Sequence, residues 1–190
     1  IPEGVFSVVT GDRETGAALV ASPSVSMVSF TGSSLTGSKI MAASAPKLSQ
    51  VALELGGKSA MVIFEDTDIE RAVEATIKGC LTNGGQICTA HTRLIVQEGI
   101  KDQLLENLKN VLEKIPYCMD PITERERGDR AWETGMTDVI QPVVSASQHE
   151  KVLGFLYEAE ASGIEIYTGG GVPDPTDVKN SCGYFIQPTI

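Results

Sequence analysis

Cys88 ends the run Gly84-Gly85-Gln86-Ile87-Cys88, a thiol preceded by a glutamine and two glycines. Glycines at such a place let the backbone turn and approach a ligand closely. A turn of this kind also leaves backbone N–H groups free, and these can lower a thiol pKa and stabilise the oxyanion formed when a thiolate attacks a carbonyl. The same residues equally suit a free cysteine used as a small buried hydrophobe.

Two more segments have chemical potential. Glu54 follows the apolar run Val51-Ala52-Leu53 and precedes Leu55-Gly56-Gly57-Lys58. At the end of a buried strand its carboxylate is expected to be partly desolvated, which favours a general base; the alternative is a surface glutamate paired with Lys58. Phe30-Thr31-Gly32-Ser33-Ser34-Leu35-Thr36-Gly37 lies where a strand gives way to a helix. The Ser33 hydroxyl and the first N–H groups of that helix can cradle a pyrophosphate, or Ser33 can simply cap the helix. No three-glycine GxGxxG pattern is present, so this segment by itself names no cofactor.

The elements that must hold these residues follow from apolar periodicity. Val5–Val9, Thr15–Ala21, Met27–Phe30, Thr36–Ala43 and Val51–Leu53 read as βαβαβ. That alternation predicts a parallel sheet with its ligands at the carboxyl ends of the strands, where Phe30 and Leu53 finish. Ala60–Phe64 alternates little, as a strand covered on both faces would. Ile69, Ala72, Val73, Thr76, Ile77 and Cys80 keep a helical period, started by Thr67 or Asp68, with Thr67 and Glu70 at capping-box spacing. A strand over Arg93–Val96 precedes an amphipathic helix over Ile100–Ile115, whose apolar side carries Leu104, Leu105, Leu108, Val111, Leu112 and Ile115. Beyond it, residues 116–140 suggest a surface excursion, with Pro116, Pro121, the charged cluster Glu124–Arg130 and Trp132 as a packing residue. A helix over Gln148–Ala161, a strand over Ile164–Thr168 and a loop at Gly169-Gly170-Gly171 complete the pattern.

The 190 residues carry a net charge of -10, which disfavours a phosphate backbone as partner, and no local basic patch offsets it. No apolar run is long enough for a membrane span. Cys80, Cys88, Cys118 and Cys182 form neither a CxxC pair nor a Cys/His cluster, so neither a structural metal nor a disulfide framework is expected. A reducing compartment, the cytoplasm or an organelle lumen, fits this usage. His91 lies three residues after Cys88, but a Cys/His hydrolase would need an oriented third member that the sequence does not offer. Cys80 falls on the apolar side of its helix and reads as core. The start at Ile1 and the stop inside the apolar run Tyr184–Ile190 suggest an internal segment of a longer protein.

Taken together, the FTGS segment at 30–33 with Gly37, the run Glu54–Lys58 and Gly85-Gln86-Ile87-Cys88 resemble the aldehyde dehydrogenase superfamily in order and in the 34-residue separation of Glu54 and Cys88. The segments 2–11 and 183–189 look like flanking parts of that family. The resemblance implies an α/β architecture: residues 1–54 as the C-terminal part of a Rossmann-type dinucleotide-binding domain, and residues 55–190 as the N-terminal part of an α/β catalytic (thiol) domain. It implies Cys88 as the nucleophile that attacks the aldehyde carbon, with hydride leaving for NAD or NADP and Glu54 activating the water that hydrolyses the thioester. Gly32, Ser33 and Gly37 would then lie against the cofactor pyrophosphate, Leu55 and Gly56 near the nicotinamide, and Cys88 N–H would serve the oxyanion. A cleft between the two domains would hold Glu54 and Cys88.

A finer resemblance, through 30–41, 58–64 and 83–96, is to plant-type betaine aldehyde and aminoaldehyde dehydrogenases. It implies a cationic aldehyde as substrate, NAD rather than NADP, and a homodimer or homotetramer. The family's oxyanion asparagine and its ribose-binding lysine and glutamate have no counterpart among these residues, so the 190-residue chain alone is expected to be inactive. Extra residues relative to the family are expected near Arg125–Val139 and Asp174–Ser181. Two alternatives are a relative that passes the acyl group to coenzyme A, which the presence of Glu54 opposes, and a catalytically silent member of the same fold.

Overall fold

Asp12 starts helix α1 (Arg13–Ala21) by accepting a hydrogen bond from Glu14 N–H at 3.0 Å. The computed structural model describes residues 1–117, 139–178 and 183–190, and it divides into two units, Ile1–Gly57 and Lys58–Ile190. In the first unit α1 is followed by β1 (Met27–Gly32), α2 (Ser34–Ser44), a 3-10 turn over Ala45–Lys47 and β2 (Gln50–Leu55). β1 and β2 pair in parallel, in register from Met27 with Gln50 to Gly32 with Leu55, and α2 makes the crossover.

Gly37, Ile40 and Ser44 form the buried stripe of α2, spaced so that they share one side of the helix. A Cβ on Gly37 would lie 2.8 Å from Leu55 Cδ2, so a larger residue there would have to push the Leu55 side chain aside. The C-terminal end of α1 lacks a basic residue in its last turn, and a distant one takes that place. Lys47 Nζ donates to the Val20 carbonyl at 2.5 Å and to the Ser22 carbonyl at 2.9 Å, satisfying acceptors the helix leaves open. Lys47→Met, which keeps the stem but removes both donors, should lower stability to urea by about 1–2 kcal/mol; an unchanged unfolding midpoint would show that the ammonium contributes nothing.

The second unit opens with β3 (Ser59–Ile63), α3 (Ile69–Leu81), β4 (His91–Val96) and α4 (Lys101–Leu112), with β3 and β4 again parallel. Asp68, not Thr67, caps α3, accepting from Arg71 N–H at 2.9 Å. The expected Thr67–Glu70 capping box is absent because Thr67 is held in the preceding turn, its N–H bonded to the Phe64 carbonyl. Ala72, Val73 and Ile77 of α3 pack with Ile63 and with the row Leu104, Leu108 and Leu112 of α4, of which Leu104 and Leu108 are fully buried. Thr76 is buried in the same place and returns its hydroxyl to the Ala72 carbonyl at 2.7 Å, so no polar group is stranded there. The buried side of α4 is narrower than its apolar pattern: Val111 is 39% exposed.

Three expectations give way here. Val5–Val9 forms no strand, and Val5, Phe6, Val8 and Val9 are exposed, because no described strand offers their backbone a ladder. β3 is covered on one face only; α3 and α4 take the side of Ile63, while Val62, Phe64 and Ile95 stay exposed. Residues 164–168 form no strand either. Their backbone is tied to Ile190, by Tyr167 N–H to its carbonyl and by its N–H to the Thr168 carbonyl, and to Ala159, whose carbonyl accepts from Ile164 N–H.

Helix α5 (Ala146–Ala161) begins at Ser145, whose hydroxyl accepts from Gln148 N–H. Ahead of it, Val143 N–H donates to the Tyr184 carbonyl at 2.9 Å, an antiparallel bridge between distant parts of the unit. Trp132, Cys118, Cys182, the charged cluster Glu124–Arg130 and the greater part of the expected extra segments lie outside the described residues.

Candidate active site

In the first unit the parallel register brings the sequence-selected residues to one end of the sheet. Thr31 pairs with Glu54 and Gly32 with Leu55 at the carboxyl ends of both strands. Ser33 follows as the N-cap of α2, accepting from Thr36 N–H at 3.2 Å and donating to the Thr36 hydroxyl at 3.0 Å. The N–H groups of Ser34 and Leu35 are then left without acceptors among the described residues, and no acidic residue occupies the first turn. An anionic phosphate fits this end by charge and by hydrogen bonding. Gly56 has open space where a side chain would stand. Glu54 does not have the partly desolvated setting expected of it. β2 alternates, turning Leu53 and Leu55 toward α2, so Glu54 falls on the exposed side with Gln50 and Ala52.

In the second unit, α3 ends at Leu81 and the chain reverses through three consecutive left-handed residues, Asn83 (φ 55°), Gly84 (φ 64°) and Gly85 (φ 73°). Glycine and asparagine tolerate this region, and the two glycines meet a second constraint. A Cβ at Gly85 would lie 3.0 Å from the Cys80 carbonyl oxygen, and one at Gly84 would lie 3.3 Å from the Gln141 carbonyl oxygen. A β-turn follows, closed by Ala90 N–H to the Ile87 carbonyl at 3.1 Å, with Cys88 and Thr89 in its central positions. Cys88 is exposed, and its N–H has no acceptor among the described residues. An exposed thiol beside an unpaired amide is an arrangement in which a nucleophile and one oxyanion donor share a residue.

The neighbouring thiol behaves oppositely. Cys80 is partly covered on α3, and burial pushes its pKa up to about 11 from the usual 9.0. Its thiolate therefore appears only as pH rises toward that value. Iodoacetamide at neutral or mildly alkaline pH should alkylate Cys88 and spare Cys80, as read by peptide mass spectrometry; equal labelling of the two would contradict this packing. His91 opens β4 with its ring against Gly79 of α3 and its Nδ1 buried without a partner among the described residues. That contact makes it a packing residue rather than a base for Cys88. Sequence reasoning placed Gln86 in a motif without giving it a role, and it missed Asn83 and Lys47. Asparagine before paired glycines is a usable signal of a left-handed turn, whereas the partners of Lys47 and the Val144 partner of Gln86 lie too far along the chain for any local pattern to reveal.

The whole chain, residues 1–190, matches the profile described as "Aldehyde dehydrogenase family". It is 40% identical over 190 residues to the betaine aldehyde dehydrogenase of Sinorhizobium fredii, covering all of this chain and 36% of that protein. It is 43% identical over 191 residues to the peroxisomal aminoaldehyde dehydrogenase 2 of Pisum sativum, covering all of this chain and 35% of that protein. Among solved structures, the aldehyde dehydrogenase of Bartonella henselae has a TM-score of 0.81 at 36% identity, covering 100% of this chain and 36% of that one. The betaine aldehyde dehydrogenase of Staphylococcus aureus in complex with NAD+ has a TM-score of 0.75 at 34% identity, covering 92% of this chain and 32% of that one. The chain thus spans about a third of the length of the relatives it matches. With parallel α/β units and a match over every residue, the chain belongs to the aldehyde dehydrogenase family.

Proposed function

We propose that this chain carries the nucleophile and the general base of an NAD(P)-dependent aldehyde dehydrogenase, which oxidises betaine aldehyde or an aminoaldehyde to its acid. The family membership gives the reaction class, and the observation that carries the assignment within it is the exposed Cys88 in a turn with an unpaired N–H. The Cys88 thiolate adds to the aldehyde carbon, and its own N–H donates to the oxygen as negative charge gathers there. After oxidation of that adduct, Glu54 takes a proton from water, which attacks the thioester carbonyl and releases Cys88 as the leaving thiolate.

Bound nicotinamide supplies the two-electron oxidation. The end of α2 fits its pyrophosphate: Ser34 and Leu35 would donate their N–H groups, with Gly32, Ser33 and Gly37 shaping the approach and Leu55 and Gly56 toward the ring side. NAD is the preferred cofactor, in line with the NAD+ complex among the similar structures. Residues 1–54 serve as part of the dinucleotide-binding domain and residues 55–190 as part of the thiol domain, in a homodimer or homotetramer of the full-length enzyme. The cationic aldehyde class is supported by relatives named for betaine aldehyde and aminoaldehydes. The test is NADH formation by the full-length protein with betaine aldehyde, ω-aminoaldehydes and simple aliphatic aldehydes. Turnover fastest with the cationic substrates is expected; turnover confined to aliphatic aldehydes would overturn the substrate class, and no turnover with any of them would overturn the reaction.

A further inference from the structure

Two residues before Cys88, the Gln86 carboxamide is bonded at both ends. Its Oε1 accepts from Val144 N–H at 3.1 Å, and its Nε2 donates to the Asn83 carbonyl at 3.1 Å. An amide N–H can only donate and a carbonyl can only accept, so these two partners fix which end of the carboxamide is oxygen. The inner side of the loop is closed further by Gln86 N–H to the Asn83 carbonyl at 3.2 Å and by Asn83 Nδ2 to the Gln86 carbonyl at 3.4 Å. On the outer side, Val144 is itself secured. Val143 before it is bridged to Tyr184, and Ser145 after it caps α5.

The consequence for Cys88 is geometric. Two residues of backbone reach about 7 Å, so a rotation of about ten degrees at Gln86 moves the thiol by about 1 Å. A displacement of that size in a reacting group costs on the order of 100-fold in rate. The turn from Ile87 to Ala90 is closed within itself, and buried Ala90 anchors its far end to β4. On the near side, the Gln86 carboxamide is the side chain that bonds the turn to the secured segment at Val144. A glutamate in its place keeps the acceptor for Val144 but sets a carboxylate oxygen against the Asn83 carbonyl; a methionine keeps the length and offers neither bond.

We propose that Gln86 is a positioning residue for the nucleophile, its carboxamide strapping the Cys88 turn to the segment Val143–Ser145 so that the thiol and the Cys88 N–H point together. This rests on the assignment of Cys88 as nucleophile. The test uses the full-length enzyme with Gln86→Met, Gln86→Glu and Cys88→Ala, measuring kcat, KM for aldehyde and for NAD+, the rate of iodoacetamide alkylation at Cys88, and the melting temperature. Both Gln86 variants should lose about 10- to 100-fold in kcat with KM for NAD+ unchanged and with an altered Cys88 alkylation rate, while remaining folded at the assay temperature. Kinetic constants and alkylation rates within about twofold of wild type would overturn the proposal. So would failure of both variants to fold, which would make Gln86 a folding residue. Cys88→Ala with wild-type turnover would instead remove the nucleophile assignment, and the alkylation rates would still report whether Gln86 orders the turn.

Discussion

Replacing Cys88 by alanine in the full-length enzyme should abolish aldehyde oxidation, with a loss of about four orders of magnitude or more in kcat, because the covalent route disappears with the thiol. The side chain is exposed in a closed turn, so its removal opens no cavity and should leave the melting temperature within about 1 °C of wild type. NAD+ binding, measured by fluorescence, should also be unaffected, since the residues proposed to hold the pyrophosphate lie on β1 and α2. Acid-quenched wild-type enzyme should carry an acyl adduct on the peptide containing Cys88, and the alanine variant should carry none. Activity within tenfold of wild type would remove Cys88 from the mechanism and favour a catalytically silent fold.

Glu54→Gln should separate the two halves of the proposed reaction. Glutamine keeps the shape at the end of β2 but cannot take a proton from water. The variant should release about one equivalent of NADH per active site in a burst and then slow by about 10²–10⁴-fold as the thioester accumulates. Hydroxylamine, a nucleophile that needs no base, should restore part of the steady-state rate. Because Glu54 is exposed on the outward side of β2, the substitution should change stability little. An unchanged steady state would remove Glu54 as the base. Acceleration of the wild-type enzyme by coenzyme A, with an acyl-CoA product, would move the reaction to the acyl-transferring relatives.

A good part of this architecture is legible in short stretches. The helices over Ile69–Leu81 and Lys101–Leu112 follow from apolar period, the first also from Asp68 ahead of it, and the helix expected over Gln148–Ala161 forms over Ala146–Ala161. β1 and β2 are readable as parallel, and from that follows the common end shared by Gly32, Ser33 and Glu54. The turn before Cys88 is readable because left-handed backbone admits few residues besides glycine and asparagine.

What local pattern cannot convey is which distant group completes an element. Val5–Val9 and Ile164–Thr168 have the composition of strands, yet a strand exists only where a second backbone supplies its ladder, and among the described residues none does. The exposure of Glu54 and of Val62 depends on which face of each sheet a helix covers, and an apolar run does not state that. Lys47 capping α1 and Gln86 meeting Val144 join residues 25 to 58 positions apart. The sequence by itself therefore determined the helices, the parallel β1–α2–β2 order and the chemical groups near Cys88 and Glu54, because these depend on backbone preferences and periods a few residues long. Only the tertiary structure decided which strands form, which faces stay open and what holds the Cys88 turn, because those depend on contacts that exist only after distant segments have met.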